Sequence, residues 1–166
     1  MTKLEPLRSQ HVPAVAALHA QALAGDFLPS LGPRFLEVLY RGMLELDLAH
    51  GVVALDDGVL AGFVIGTDDS SGLFRKLLVQ RTLPLALQVA RALLRRPRLL
   101  FPTLETFLYP SKEQLPGVDS ELLVIAVSER QRSSGVGAAL VSRLEADFTA
   151  RGRAAYKLTV LAQNTR

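Results

Sequence analysis

The stretch 121–140 limits what this chain can fold into more than any other. There the apolar run Glu121-Leu-Leu-Val-Ile-Ala-Val127 is followed by the turn Arg132-Ser-Ser-Gly135-Val-Gly137. Val136, Leu140, Leu144 and Phe148 then recur every four residues. A short apolar run leading through glycines into such a stripe reads as a strand, a tight turn and a helix packed back on the sheet. A turn of this kind leaves main-chain N–H donors unpaired at a helix N-terminus, where the helix dipole adds a positive end. It is therefore a ready seat for a phosphate-bearing ligand such as a cofactor's diphosphate.

Elsewhere the pattern alternates between α and β. A short strand near Leu4 gives way at Ser9, a plausible N-cap, to a helix through Val12, Val15, Ala16, Leu18 and Leu23, which Gly25 should end. Phe35, Leu36, Leu39, Met43 and Leu46 predict a second helix from about Gly32 or Pro33 to Leu46. Two strands, Val52 to Leu55 and Val59 to Ile65, flank Asp56-Asp57-Gly58, a hairpin signal because Asp-Gly adopts positive φ at low cost. A polar loop at Asp68-Asp69 follows. Beyond it, Pro84, Pro97 and Pro102 should divide a leucine- and arginine-rich segment into two or three short helices. Gly152 should close the helix after the turn, with a last strand from Ala155 to Leu161. No repeat or linker interrupts the chain, so residues 1–166 read as one α/β domain with a helical insert at 72–110.

Composition narrows the function. With 49% hydrophobic and 21% charged residues, 166 residues can bury one core. The lack of cysteine excludes disulfides, thiolate nucleophiles and thiolate metal sites. His11, His19 and His50 lack metal-ligand spacing and are expected at the surface or at helix ends; no metal is expected. The first residues have no apolar leader core and no apolar run reaches about 18 residues, so cytoplasmic residence is the expectation. The net charge of +3 is local in origin, because 72–104 holds Arg75, Lys76, Arg81, Arg91, Arg95, Arg96 and Arg98 and no acidic residue. Setting those seven aside leaves 12 basic against 16 acidic residues, so the remainder carries about −4. The insert has only Phe74 and Phe101 for stacking on bases, which argues against nucleic acid as a partner.

Two phosphate-binding alternatives fail at the turn. A P-loop needs Lys and Ser or Thr after its last glycine, where this chain has Ala138 and Ala139. A dinucleotide fingerprint needs a small residue where this chain has Leu140. The remaining pattern, Arg-x-x-Gly-x-Gly after a strand, resembles the acyl-CoA signature of the GNAT superfamily of N-acyltransferases, and the order of elements resembles that fold. The bland alternative is a glycine turn that only lets a helix pack closely on a sheet.

The resemblance implies a mixed, mostly antiparallel central sheet flanked by helices, with the basic insert just before the acyl-CoA-binding strand. It further implies transfer of an acetyl group from acetyl-CoA to a primary amine of a small molecule, an amino sugar or another anionic metabolite. In that frame the N–H groups of Arg132, Ser133, Ser134, Gly135, Val136 and Gly137 would hold the diphosphate. Val127 would pair with the pantetheine arm, the Ile125 N–H would face the thioester oxygen, and Asn164 would bind the same arm. Glu121, on the same side of its strand as Leu123, Ile125 and Val127 if alternation holds, would be the general base; a solvated carboxylate at a strand end is the plain alternative.

The sequence ends at Arg166, where the family continues into a further helix and strand pair that usually carries a tyrosine acid. None of Tyr40, Tyr109 and Tyr156 matches that position. An exposed sheet edge would follow from such an end, and with it the expectation of a homodimer. Asp68 and Asp69 read as a solvated loop, or as a seat for a cationic amine. The insert reads as a solvated face, as a cap over the acceptor pocket, or as an anchor at an anionic membrane surface, the cap being favoured over the membrane. A noncatalytic acyl-CoA-binding or membrane-associated module is the alternative to an enzyme.

Overall fold

The computed structural model describes residues 2–95, Pro97 and 117–159. Its elements in chain order are β1 (Thr2–Pro6), α1 (Val12–Ala22), α2 (Phe27–Ser30), α3 (Pro33–Glu45), β2 (His50–Asp56), β3 (Val59–Thr67), α4 (Ser70–Arg95), β4 (Glu121–Val127), α5 (Val136–Ala150) and β5 (Lys157–Leu158). Short 3-10 turns at Ser9–His11 and Glu129–Gln131 precede α1 and the glycine turn. The strands form one sheet in the order β1-β2-β3-β4-β5, antiparallel except for the parallel pair β4 and β5.

The hairpin forms where the sequence placed it, with Asp57 and Gly58 at φ 48° and 81°. Positive φ at both central residues suits the twist of the flanking strands. Helix α3 follows its apolar period, burying Phe35, Leu36, Leu39, Tyr40 and Met43. Alternation along β2 separates two cores. Val53 joins Phe63, Ile65 and the helices α1, α3 and α4, whereas Val52 and Ala54 join Leu140, Leu144 and Phe148 of α5. The sheet is thus covered on both faces.

Helix α5 sits close to the sheet because β3 has glycine beneath it. A Cβ on Gly66 would stand 2.8 Å from Phe148 Cζ, and one on Gly62 would stand 3.1 Å from Leu140 Cδ1. The absence of side chains at these positions sets how near α5 lies, and so where its N-terminus points.

Several expectations change. Helix α1 ends at Ala22 with Leu23 as its C-cap, ahead of Gly25, and the one-turn α2 follows. The loop after β3 leads into α4, which is two helical segments joined across a kink, in line with the expected interruption near Pro84. Helix α4 leaves helical geometry at Arg81 (φ −128°, ψ 23°), and its parts Ser70–Leu77 and Val79–Leu94 are bent by 69°. Pro84 explains the break: it has no N–H for the carbonyl of residue 80, and its ring clashes with that carbonyl in a continuous helix. The described part of the last strand is Lys157–Leu158. Pro102, Tyr109, Asn164 and the part of the insert beyond Pro97 lie outside the described residues.

Candidate active site

The turn between β4 and α5 is anchored on its β4 side. The Ser128 N–H donates to the Ala61 carbonyl (2.8 Å), and the Gln131 side-chain amide donates to Asp56 Oδ2 on the β2–β3 hairpin (2.9 Å). Beyond these anchors Ser133 takes φ 64° and Gly135 φ 85°. The second value is the left-handed region that glycine enters without a Cβ penalty.

Not all the expected donors are free. The Arg132 N–H bonds to the Glu129 carbonyl (3.3 Å), and the Ser134 N–H (3.4 Å) and hydroxyl (2.6 Å) both bond to the Gln131 carbonyl. Among the described residues, no protein acceptor pairs with the N–H groups of Ser133, Gly135, Val136, Gly137 or Ala138. Residues 132–135 are exposed, so the donors at Ser133 and Gly135 open to solvent. No acidic side chain occupies the first turn of α5, which leaves the positive end of its dipole unneutralised. A Cβ built on Gly137 meets only Val127 Cγ2, at 3.7 Å. Across the gap between the end of β4 and the first turn of α5, Gly137 thus faces a Val127 methyl with room for no more than a small side chain.

Beside this turn, β4 offers an edge. Its pairs Gly62↔Val127 and Val64↔Ile125 alternate with Phe63↔Ala126, and the Ser128 N–H points at β3. In an antiparallel ladder alternate residues direct their main-chain groups to one neighbour and the rest away. The N–H groups of Ile125 and Val127 thus face away from β3. On that side the described part of β5 pairs only with Glu121 and Leu122.

The expected common face of Glu121, Leu123, Ile125 and Val127 is not kept. The register slips between Ile65↔Val124 and Gly66↔Leu122, leaving Leu123 without a partner position. Leu122, Ile125 and Val127 pack toward α5, whereas Leu123, Val124 and Ala126 pack toward α1 and α3. A bulge of this kind reverses the alternation on one side of it. Glu121, next to Leu122, takes the face opposite to Ile125 and Val127. Its carboxylate lies 3.8 Å from Lys157 Nζ, with 18% of its side chain exposed. Lys157 had no signal in the sequence, since only strand pairing brings it to Glu121.

Other candidate residues prove to be structural. His19 lies in the core on α1, contrary to the surface expectation, because it shares the apolar stripe of Val12, Val15 and Ala16. Its Nδ1 bonds to the Tyr40 hydroxyl, and desolvation lowers its pKa to about 4 and raises that of Tyr40. His11 is also buried, and its Nδ1 accepts the Arg8 N–H (3.2 Å). Asp69 caps α4 while 44% of its side chain stays exposed, so it remains solvated as expected. It accepts from Lys76 Nζ (2.9 Å), the Gly72 N–H (2.7 Å) and the Ser71 hydroxyl (3.1 Å), and the lysine, then the backbone bond, hold its pKa below the usual carboxylate range. Asp68 pairs with Arg151 (3.2 Å) and Arg153 (3.4 Å) at the end of α5. Tyr156 donates to Glu145 Oε1 (2.9 Å).

A mostly antiparallel sheet whose fourth strand runs through a glycine turn into α5, with helices on both faces, is the fold of the GNAT N-acetyltransferases. No family model matches the chain, and no curated sequence matches it. Among solved structures, the ribosomal-protein-alanine N-acetyltransferase from Brucella melitensis biovar Abortus 2308 is similar with TM-score 0.56 and 15% identity, over 99% of this chain and 83% of that one. The aminoglycoside N-acetyltransferase AAC(6')-Iy, crystallised in complex with CoA, is similar with TM-score 0.64 and 15% identity, over 99% of this chain and 80% of that one. A GCN5-related N-acetyltransferase from Ralstonia eutropha JMP134 is similar with TM-score 0.61 and 15% identity, over 98% and 85%.

Proposed function

We propose that residues 1–166, with the insert at 72–110, form a single acyltransferase domain that moves an acetyl group from acetyl-CoA to a primary amine of a small molecule in the cytoplasm. The observation that carries this reading is the row of unpaired donors at Ser133, Gly135, Val136 and Gly137 beside an open β4 edge. Those donors suit a diphosphate, and the exposed main chain at Gly135, with no side chain at the half-buried Gly137, lets its oxygens approach. The Arg132 and Ser134 N–H groups shape the turn and are not counted as ligands. Acetyl-CoA supplies an activated thioester when bound.

The residues of β4 would do the rest. The Val127 main chain would hold the pantetheine arm as an added strand. The Ile125 N–H would stabilise charge developing on the thioester oxygen. Glu121 would take the proton of the amine, on the face of the sheet opposite α5. Roughly 13 Å of strand separates it from Ile125, so the proton would pass through water. Of the described tyrosines, Tyr40 is bonded to His19 within the core and Tyr156 is bonded to Glu145, so the departing thiolate would take its proton from solvent. Asn164 remains part of the proposal as a further contact to the arm. An amino sugar or another anionic metabolite is the proposed acceptor class, supported by the basic run in the insert.

The test is a thermal-shift titration with acetyl-CoA followed by mass detection of acetylated amines from a panel. Glu121→Gln should lower kcat by about 100-fold or more and leave the acetyl-CoA Kd unchanged. Binding without transfer to any amine would replace this reading with that of a noncatalytic acyl-CoA-binding module.

A further inference from the structure

Helix α4 carries two apolar faces, and only one is packed. Leu73, Leu77 and Leu85 are buried, and Val89 and Ala92 rest on the α1–α3 core. On the other side Val79, Leu83, Leu87 and Leu94 are exposed by 76, 81, 49 and 86%. Past the break at Arg81, at 3.6 residues per turn, Leu83, Leu87 and Leu94, with the exposed Ala86 and Ala90, fall within an arc about 100° wide. An ordinary surface helix presents polar residues there. Between Gly72 and Leu104 the chain has seven basic residues and no acidic one. Arg75 and Arg91 are exposed, and among the described residues no carboxylate pairs with either.

We infer that the outer face of α4 lies on an anionic phospholipid surface, its leucines in the acyl boundary and its arginines at the headgroup phosphates. Charge selects this occupant over a second copy of the chain. A two-fold contact through α4 would set arginines against arginines with no acidic residue of the segment between them. Anionic headgroups satisfy the same charges, and an amphipathic helix with cations beside its apolar face is built to lie in that interface. The helix rests on the bilayer rather than crossing it, because its other face is held by the core. No single helix among the described residues is long and apolar enough to span, and the two parts of α4, which together have the length and composition, are bent by 69°. This inference does not rest on acetyl transfer, although it draws on the same basic run that supports an anionic acceptor.

Co-sedimentation of the full chain with vesicles tests it, using phosphatidylcholine alone and an equimolar mixture with phosphatidylglycerol. The chain should bind the mixed vesicles, lose that binding at high salt, and bind phosphatidylcholine at least tenfold less. Arg75→Gln with Arg91→Gln should weaken binding roughly 25-fold, about fivefold per charge. Leu83→Asp should abolish binding while the circular dichroism stays unchanged, since Leu83 is 81% exposed. Equal binding to both vesicle types, no binding to either, or a Leu83→Asp chain that still binds would overturn the inference. So would a Leu83→Asp change that converts a dimer to a monomer in sedimentation velocity, which would mark the face as a contact between copies.

Discussion

Gly137→Ala separates folding from ligand binding. Gly137 lies in the first turn of α5, and a Cβ there meets nothing nearer than Val127 Cγ2 at 3.7 Å, an ordinary contact. The protein alone should therefore tolerate the methyl group. Replacing glycine by alanine within a helix stabilises by about 0.5–1 kcal/mol, which for a chain of this size raises Tm by about 1–4 °C. The same methyl would stand in the gap between β4 and α5, beside the unpaired N–H groups. Holding a diphosphate away from two of those donors forfeits two charge-assisted hydrogen bonds. At the lower value of about 1.5 kcal/mol each, the loss is about 3 kcal/mol, or roughly 100-fold in Kd. Thermal melting and calorimetric titration with CoA read the two effects separately. A raised Tm with an unchanged CoA Kd would refute the assignment of the diphosphate to this turn. Gly135→Ala provides the contrast: its φ of 85° strains any side chain although nothing lies within 4 Å. It should cost about 1–2 kcal/mol and weaken CoA as well.

Other expectations concern the scaffold. Gly66→Ala places a Cβ 2.8 Å from Phe148 Cζ and 3.3 Å from Leu144 Cδ1; this overpacking should cost about 1–3 kcal/mol in urea denaturation, and an unchanged midpoint would show that α5 yields freely. His19 should make stability depend on pH. Its folded pKa of about 4 lies below the unfolded value of 6.5, so the unfolded chain binds the proton first as pH falls. Stability should be level above pH 6.5 and decline by up to about 3 kcal/mol as pH approaches 4. His19→Gln should flatten that part of the profile, measured as the urea midpoint against pH.

What could be read in advance was local. Asp56-Asp57-Gly58 specifies its hairpin because Asp57 and Gly58 accept positive φ, and α3 is specified by a period that needs no knowledge of its neighbours. The strand–turn–helix at 121–140 likewise declared itself through an apolar run and two glycines. The break in α4 was signalled by Pro84, although Arg81 is where the backbone departs from helical geometry, because a proline disturbs the turn before it.

Contacts between distant segments decided the rest. Residues 122–127 are apolar at every position, so no alternation of polar and apolar residues could reveal the slip at Leu123. Only pairing with β3 places Glu121 across the sheet from Ile125 and beside Lys157. Which turn N–H groups stay free depended on the fold of 128–134, where the carbonyls of Glu129 and Gln131 take up two of them. The outer leucines of α4 look like core residues in the sequence, and packing against α3 shows which face is left to solvent. Side-chain chemistry and backbone preference are properties of neighbouring residues, whereas facing, pairing and exposure exist only once remote parts of the chain have met.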